Sequence, residues 1–387
     1  MKIFKNEIIY FEVLIFGILC FLYYNFSFNI RTDIELHAQF IKDYAYGNKP
    51  FQVNFLYYLA VYFFSFFSDK TSSLLVMSVY VLTIATFVKY YITKTILLTE
   101  LNISEFKEKR LISIISFSSL FLFTIPVVYF FTNYYYLLTC TPNVWHNSTT
   151  IFTMPFVLLL FWISYLQLQN HSTKRLLVIF LLIVFNAIAK PSFLFVFFIV
   201  YPIFLLIKYK IKNKTFWMNL IPIALGVVFI FLEYLQIYLN SNNTSSSSVT
   251  IKFLSFFKNW SVGNNIYLML LLSILSSFLF PIILLLKNKQ LFKSNLILYS
   301  LTCVVISILI SISLSETGAR ANDGNFLWQV IMCSYLLFFS CILELLKLIK
   351  QNNFSFKKYF IELFVLSLHF VSGIIYLINI FQTKIYF

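Results

Sequence analysis

Long apolar runs alternate along the chain with short polar segments in which Lys and Arg are frequent. A run of about 20 apolar residues is long enough to cross the hydrocarbon core of a bilayer as an α-helix. The pattern predicts an all-α polytopic membrane protein with about 11 transmembrane helices, in a single transmembrane domain over residues 1–387. The predicted spans are residues 8–28, 73–91, 111–132, 150–168, 176–189, 192–207, 218–239, 266–286, 296–314, 326–347 and 360–381.

The composition supports this class of protein. Hydrophobic residues make up 60% of the chain, aromatic residues make up 21%, and the mean hydropathy is +0.85. A soluble domain could not bury so much apolar surface. The net charge of +15 does not indicate a nucleic-acid partner, because the basic residues form short clusters between apolar runs. Such clusters are typical of the cytoplasmic loops of membrane proteins, and they predict a multi-pass topology with a cytoplasmic N-terminus.

One apolar run does not fit the alternation. Residues 51–67 have the hydropathy of a span, but a crossing there would move the basic cluster between Lys89 and Arg110 to the outer side. We therefore expect residues 29–72 to form an outer loop that contains juxtamembrane helices. Residues 241–265 are expected to form a second, flexible outer loop, because they include a run of serines.

The densest group of charged residues follows the first span and extends from Arg31 to Asp43. Asp33 and His37 are four residues apart, so a helix would place them on one face, whereas Glu35 would point elsewhere. The segment has two interpretations. It is either a solvated juxtamembrane helix whose charges mark the interface, or the acidic edge of an active site that faces away from the cytoplasm.

Three further outer segments carry polar side chains. Trp145, His146 and Asn147 form one string, for which the alternative is an aromatic belt at the membrane interface. Lys190 lies between two short spans, where its ammonium group either reaches the outer surface or binds a phosphate. The segment before the tenth span is either a solvated loop or an anion-binding site, and its charged residues are Glu316, Arg320 and Asp323.

These features resemble the GT-C superfamily of integral-membrane glycosyltransferases. In that family a catalytic acid follows the first span, and Asp33 stands at this position. Gly47 and the string NFLYY at residues 54–58 resemble the glycine and the juxtamembrane helix that follow in many members, although the family's His and prolines are absent here. Strings at residues 145–147, 189–192 and 316–326 also resemble those of uncharacterised membrane proteins of bacterial polysaccharide loci.

The resemblance implies that the chain transfers a sugar from a polyprenyl-phosphate-linked donor to a glycan or lipid-linked acceptor. The reaction would take place at the outer face of the bacterial inner (plasma) membrane, in contact with membrane lipid, during cell-surface polysaccharide synthesis. Asp33 would accept the proton of the acceptor hydroxyl, and Lys190 and Arg320 would contact the lipid phosphate. The other residues expected to bind substrate are Glu35, His37, Trp145, His146, Asn147, Glu316 and Asp323.

The sequence also bears on possible cofactors and on two alternative functions. It contains no Gly-rich phosphate loop, so no nucleotide cofactor is expected, and the acidic string at residues 33–35 leaves a divalent metal open. A polysaccharide polymerase or ligase is one alternative, although its usual mark is an arginine-rich outer loop. A lipid-linked oligosaccharide flippase or transporter without transfer chemistry is the other. The polar segments gather on one face and show no inverted repeat, which favours a transferase.

Overall fold

The computed structural model describes residues 2–136, 138–238, 248–261, 263–321, 324–352 and 355–386. Within these residues, eight helices are long and apolar enough to cross a membrane. The number rises to nine if the bent pair Ile266–Ser277 and Leu279–Lys287 is counted as one span. The protein is therefore an all-α polytopic membrane protein, as the apolar runs predict. The predicted count of 11 spans is not confirmed.

Helices form most of the described chain, and two short strands connect a pair of loops. The strands β1 (Val249–Ile251) and β2 (Leu314–Glu316) pair antiparallel, with Val249 opposite Glu316. The helices are α1 (Lys2–Phe28), α2 (Asp33–Ala45), α3 (Leu56–Phe64), α4 (Thr71–Glu100), α5 (Phe106–Ser118), α6 (Tyr129–Thr132), α7 (Ser148–Gln169), α8 (Thr173–Ala189), α9 (Ser192–Tyr209), α10 (Lys214–Tyr238), α11 (Ser255–Trp260), α12 (Ile266–Ser277), α13 (Leu279–Lys287), α14 (Asn295–Ser313), α15 (Trp328–Gln351) and α16 (Phe360–Thr383).

Helix α15 lies at the centre of the bundle. In its most apolar window 89% of the residues are buried inside the protein, compared with 22% in α10. It packs against α7, α9, α13 and α14, and its small residues Cys333, Ser334 and Ser340 are fully buried. Small side chains let neighbouring helices approach closely in a membrane, where apolar surface alone does not distinguish protein from lipid.

The first polar loop contains the two short helices α2 and α3. Thr32 begins α2: its hydroxyl accepts the Ile34 N–H at 3.2 Å and donates to the Phe26 carbonyl oxygen at 3.0 Å. This N-cap holds the start of α2 against the end of α1. Helix α3 has nine residues, about half the length that a spanning helix needs. Residues 51–67 therefore do not form a spanning helix.

The predicted span at residues 111–132 is not a continuous helix. Helix α5 ends at Ser118, one 3-10 turn follows over Ser119–Phe121, and the chain is then non-helical until α6 begins. Pro126 favours the non-helical backbone just before it, because proline donates no hydrogen bond and disfavours the helical conformation of the preceding residue. The stretch lies inside the protein, where Phe123 is 1% exposed.

Helix α16 satisfies the backbone of this non-helical stretch. His369 Nδ1 donates to the Phe123 carbonyl oxygen at 2.7 Å, and the Phe123 N–H donates to the His369 carbonyl oxygen at 3.1 Å. At the bend between α12 and α13, the Phe280 N–H donates to His369 Nε2 at 3.3 Å. Non-helical backbone is tolerated at membrane depth where protein groups satisfy it. His369, Phe123 and Phe280, called here the His369 crossing, thus join two helix breaks.

Helix α16 approaches the end of the 3-10 turn closely at Gly373. A Cβ atom at this position would lie 1.6 Å from the carbonyl oxygen of Phe121, so any larger residue would displace the backbone. Beside it, the Ser372 hydroxyl donates to the carbonyl oxygen of Thr124. The absence of a side chain at Gly373 therefore makes the crossing sterically feasible.

The loop predicted at residues 241–265 is described in part. Residues 241–247 and 262 lie outside the described residues. The described remainder contains β1 and α11, and the Thr317 N–H donates to the Ser248 carbonyl oxygen at 2.9 Å. Through β1 and β2, this loop is connected to the segment between α14 and α15.

Candidate functional site

Several polar residues that the sequence singles out lie together at the end of the bundle where α1 ends and α4 begins. Hydrogen bonds connect them across three separate stretches of the chain. We call this group the Asp33 cluster, and its members are Asp33, His37, His146, Asn147 and Lys190.

Asp33 is the first residue of α2 and is half-buried. A carboxylate in the first turn of a helix interacts favourably with the helix dipole. Asp33 Oδ2 accepts a hydrogen bond from Asn147 Nδ2 at 2.6 Å, and Oδ1 accepts one from the Tyr386 hydroxyl at 3.5 Å. Each carboxylate oxygen has two lone pairs, so both retain capacity for a further proton donor.

Asn147 caps the N-terminus of α7. Its Oδ1 accepts the Thr150 N–H at 3.0 Å and the hydroxyls of Thr149 and Thr150 at 3.1 and 2.7 Å. The same oxygen accepts a hydrogen bond from Lys190 Nζ at 3.0 Å. Because Nδ2 donates to Asp33, this single amide joins the carboxylate on α2 to the ammonium group that precedes α9. The donors on one side and the carboxylate on the other fix the orientation of the amide.

Lys190 lies between α8 and α9, with its ammonium group inside the cluster. Nζ also donates to Thr149 Oγ1 at 3.1 Å and lies 4.2 Å from the centre of the Trp328 ring, a cation–π contact. Burial lowers the pKa of Lys190 to about 7, although the negative charge of Asp33 opposes this shift. At neutral pH, Lys190 is therefore near the midpoint of its titration.

Helices α2, α7, α9 and α15 all begin at this cluster. Asp33 is in the first turn of α2, Asn147 caps α7, Lys190 precedes α9 by two residues, and Trp328 is the first residue of α15. A helix N-terminus carries partial positive charge and N–H groups without an intrahelical acceptor. Together with Lys190, these helix ends make the region suitable for an anionic group such as a phosphate.

His37 lies one turn after Asp33 on the same helix and is buried. Its Nδ1 forms a short hydrogen bond with the Ser148 hydroxyl, and its ring packs edge-on against Tyr57 and Tyr58. Burial lowers the pKa of His37 to about 4, against the raising effect of Asp33, so the imidazole is neutral at neutral pH. His37 thus holds the start of α7 against α2.

His146 is 1% exposed and lies among aromatic rings. The Tyr386 ring stacks on it, with ring centres 4.0 Å apart, and the Tyr136 ring contacts it edge-on at 4.7 Å. Burial lowers the pKa of His146 to about 4, so this imidazole is also neutral at neutral pH. No described residue forms a hydrogen bond with its Nδ1. Within the described chain, the cluster thus contains a buried polar atom without a partner.

Tyr386 belongs to the site, although the sequence did not single it out. It follows α16, its hydroxyl donates to Asp33, and its ring covers one face of His146. Tyr386 is one of 26 tyrosines in an aromatic-rich chain and is 353 residues from Asp33. No local pattern in the sequence therefore marks it.

Two candidates from the sequence lie beside the cluster. Trp145 is buried in the core, with its ring centre 6.3 Å from that of Phe26 and 5.3 Å from that of Phe121. The structure thus gives Trp145 a packing contact with α1 and with the turn after α5. Glu35 is exposed, as its position two residues after Asp33 on a helix predicts.

The segment predicted to bind an anion has a network of its own. Arg320 Nε lies 3.4 Å from Glu316 Oε1, and Asn325 Nδ2 donates to Glu316 Oε2 at 2.5 Å. Glu316 is buried at the end of β2. The ion pair described for Arg320 is thus with a carboxylate of its own segment. Asp323 lies outside the described residues.

The described residues contain no group of three or more His, Cys, Asp or Glu side chains placed to hold a metal ion. Asp33 and Glu35 are two residues apart on α2, so they lie on different faces of the helix. The acidic string at residues 33–35 therefore does not form a chelating pair.

A buried lysine supports the segment that leads into the cluster. Lys89 on α4 donates to Asn143 Oδ1 at 2.7 Å, and its ammonium group lies 3.5 Å from the centre of the Tyr335 ring. Asn143 Nδ2 in turn donates to the carbonyl oxygens of Ser119 and Leu122 at 3.0 and 2.9 Å. These contacts hold the buried chain before His146 and Asn147 against α4, α15 and the turn after α5.

The chain matches no protein-family model and no curated protein. The Asp33 cluster combines a half-buried carboxylate, an ammonium group joined to it through one amide, and two neutral imidazoles. This combination offers a proton acceptor beside a binding place for an anion.

Proposed function

We propose that the protein is a membrane glycosyltransferase that moves a sugar from a polyprenyl-phosphate-linked donor to a glycan or lipid-linked acceptor at the outer face of the membrane. The observation that carries the proposal is the bridge from Asp33 through Asn147 to Lys190, with hydrogen bonds of 2.6 and 3.0 Å. A proton acceptor and a cation joined by one amide suit the transfer of a group from a phosphate to a hydroxyl.

In the proposed reaction, the acceptor hydroxyl oxygen forms a bond to the anomeric carbon of the donor sugar. The bond between that carbon and the phosphate oxygen breaks, and its electron pair leaves with the polyprenyl phosphate. The hydroxyl proton passes to an oxygen of Asp33 and is later released to water. A positioned base of this kind contributes about 10²–10⁴-fold to the rate.

The phosphate leaving group gains negative charge as its bond to the sugar breaks. Lys190 lies at the Oδ1 end of the Asn147 amide, two residues before α9 begins, whereas Asp33 lies at the Nδ2 end. Donors that are already in place before the reaction stabilise such charge efficiently. Asp33 at one end of the Asn147 amide thus accepts the proton, and Lys190 at the other end stabilises the leaving phosphate.

The proposal includes an orientation in the membrane. Basic residues at 208–214 and 287–293 follow helices that lead away from the Asp33 cluster. Basic loops are typical of the cytoplasmic side, so the cluster would face outward and the N-terminus would be cytoplasmic. Helix α5 with its non-helical continuation and the 17-residue α8 would be two further crossings, which brings the nine spans to the predicted 11.

The test is sugar transfer by the purified full chain in liposomes. Each assay contains one radiolabelled polyprenyl-phosphate sugar and a mixture of soluble and lipid-linked glycans as acceptors. We expect labelled acceptor from the wild-type chain and at least about 10²-fold less of it from Asp33→Asn. Movement of intact donor across the bilayer without labelled acceptor would contradict the proposal and identify a flippase. Repeated extension of one acceptor would identify a polymerase.

A further inference from the structure

Tyr386 places a hydroxyl group at the position where the proposed reaction needs that of the acceptor. Its hydroxyl donates to Asp33 Oδ1 at 3.5 Å, and Asp33 is the carboxylate that would accept the proton. Its ring lies parallel to that of His146, with ring centres 4.0 Å apart and planes inclined by 14°. A residue outside the helices thus presents a hydroxyl-bearing ring to the cluster.

His146 provides a second, independent observation. Its side chain is 1% exposed, and its Nδ1 has no hydrogen bond within the described part of the chain. A buried polar atom without a partner costs free energy, so such atoms in native proteins are usually satisfied by a ligand or water. Tyr386 covers the imidazole without satisfying this nitrogen, whereas a ligand with several polar groups could contact both His146 and Asp33.

Two exposed residues, Lys384 and Ile385, connect α16 to the half-buried Tyr386. Helix α16 ends at Thr383, and Lys384 has a left-handed backbone conformation with φ of 60°, which non-glycine residues seldom adopt. Ile385 is 52% exposed, and the Tyr376 hydroxyl donates to the Tyr386 carbonyl oxygen at 3.0 Å. Because Lys384 and Ile385 bury little surface, displacement of the segment costs mainly the contacts of the half-buried Tyr386 side chain itself.

We propose that Tyr386 occupies the acceptor subsite of the Asp33 cluster and that a neutral, hydroxyl-bearing sugar ring displaces it on binding. The role of this sugar as acceptor rests on the proposed transferase function. The sugar offers one hydroxyl to Asp33 and a second polar group to His146 Nδ1, and its apolar face lies against the ring of His146.

The charges of the cluster favour a neutral sugar at this position. The Tyr386 side of the cluster has the carboxylate of Asp33, the neutral ring of His146 and the positive charge of Arg31, whose effect on Tyr386 opposes that of Asp33. Lys190 lies at the far end of the Asn147 amide. The opposite charges of Asp33 and Arg31 leave little net attraction for a phosphate at this position. The anionic part of the donor therefore belongs beside Lys190, and the acceptor belongs beside Tyr386.

Binding of simple glycosides tests this subsite without requiring catalysis. The full chain in lipid nanodiscs is titrated with the methyl glycosides of glucose, galactose, mannose and N-acetylglucosamine, and tryptophan fluorescence is recorded. Tyr386→Ala should bind at least one glycoside about tenfold more tightly than wild type, the gain expected if the tyrosine covers the subsite nine-tenths of the time. Ile385→Ala, an exposed neighbour, should leave the Kd unchanged.

A further variant separates occupancy of the subsite from a general loosening of the protein. In the Tyr386→Ala background, Asp33→Asn should weaken the gained binding, because the carboxylate accepts the hydrogen bond of the sugar. Equal Kd values for wild type and Tyr386→Ala with all four glycosides, or no binding to either, would overturn the proposal. If Tyr386→Ala binds a glycoside more tightly but the wild-type chain transfers no sugar, the subsite is supported and the transferase function is rejected. If the chain transfers sugar but Tyr386→Ala binds every glycoside as wild type does, the transferase function is supported and the subsite is rejected.

Discussion

The Asp33 cluster and the His369 crossing each contain a buried histidine, in opposite chemical situations. At the crossing both ring nitrogens have backbone partners, at 2.7 and 3.3 Å. In the cluster, Nδ1 of His146 has no partner within the described residues, and the carboxylate of Asp33 has free lone pairs beside it. A polar side chain whose hydrogen-bonding atoms all have partners can stabilise non-helical backbone inside a membrane protein. Incompletely paired groups retain the capacity to bind a ligand.

The largest stability difference should be between the two histidines. His369→Leu leaves the Phe123 carbonyl oxygen and the Phe280 N–H without these side-chain partners, at a cost of about 1–3 kcal/mol for each group. His146→Leu removes a nitrogen that has no described partner and loses only the ring contacts with Tyr136 and Tyr386, so it should destabilise the protein less. Thermal unfolding of both variants in detergent measures the difference. Equal destabilisation by the two substitutions would contradict the difference in hydrogen bonding between His369 and His146.

The second effect concerns the close approach of α16. Gly373→Ala places a methyl group against the backbone at Phe121, and overpacking of this kind costs about 1–3 kcal/mol. Gly17→Ala on α1 is the matched control, because no atom lies within 4 Å of the added carbon and alanine favours the helix. Unfolding temperatures in the same detergent compare the two variants. A Gly373→Ala protein as stable as Gly17→Ala would contradict the close packing.

The third effect is the pH dependence of donor use. Lys190 has a pKa of about 7, so its positive charge is present below pH 7 and is lost as the pH rises. The donor KM of the wild-type chain should rise about tenfold between pH 7 and pH 8.5, as the charged fraction falls. Lys190→Arg stays charged throughout this range, so its donor KM should remain level. Parallel pH profiles for the two proteins would remove Lys190 from phosphate binding.

The helical class and part of the site could be predicted from the sequence. Long apolar runs specify spanning helices directly, because their length matches the bilayer. The different environments of Asp33 and Glu35 follow from helical spacing. Pro126 stands inside the span predicted at residues 111–132, but Pro155, Pro202 and Pro222 lie inside continuous helices, so proline alone does not predict the break after α5.

The assembly of the cluster could not be predicted in the same way. Asn147 is 114 residues from Asp33 and 43 residues from Lys190, and no periodic pattern connects positions so far apart. Tyr386 joins them only because α16 ends at the same end of the bundle as α1. Tertiary packing determines these contacts, whereas local sequence determines only the helices that carry them.

The central claim is that Asp33 is the base of a sugar-transfer reaction. The most direct measurement compares the initial rate of radiolabelled sugar transfer by Asp33→Asn and Glu35→Gln in liposomes, with equal amounts of folded protein. Both substitutions remove one negative charge at nearly constant volume, two residues apart on α2. The rate should fall by about 10²-fold or more for Asp33→Asn and remain close to wild type for Glu35→Gln. Unchanged transfer by Asp33→Asn, or greater loss with Glu35→Gln, would contradict the assignment.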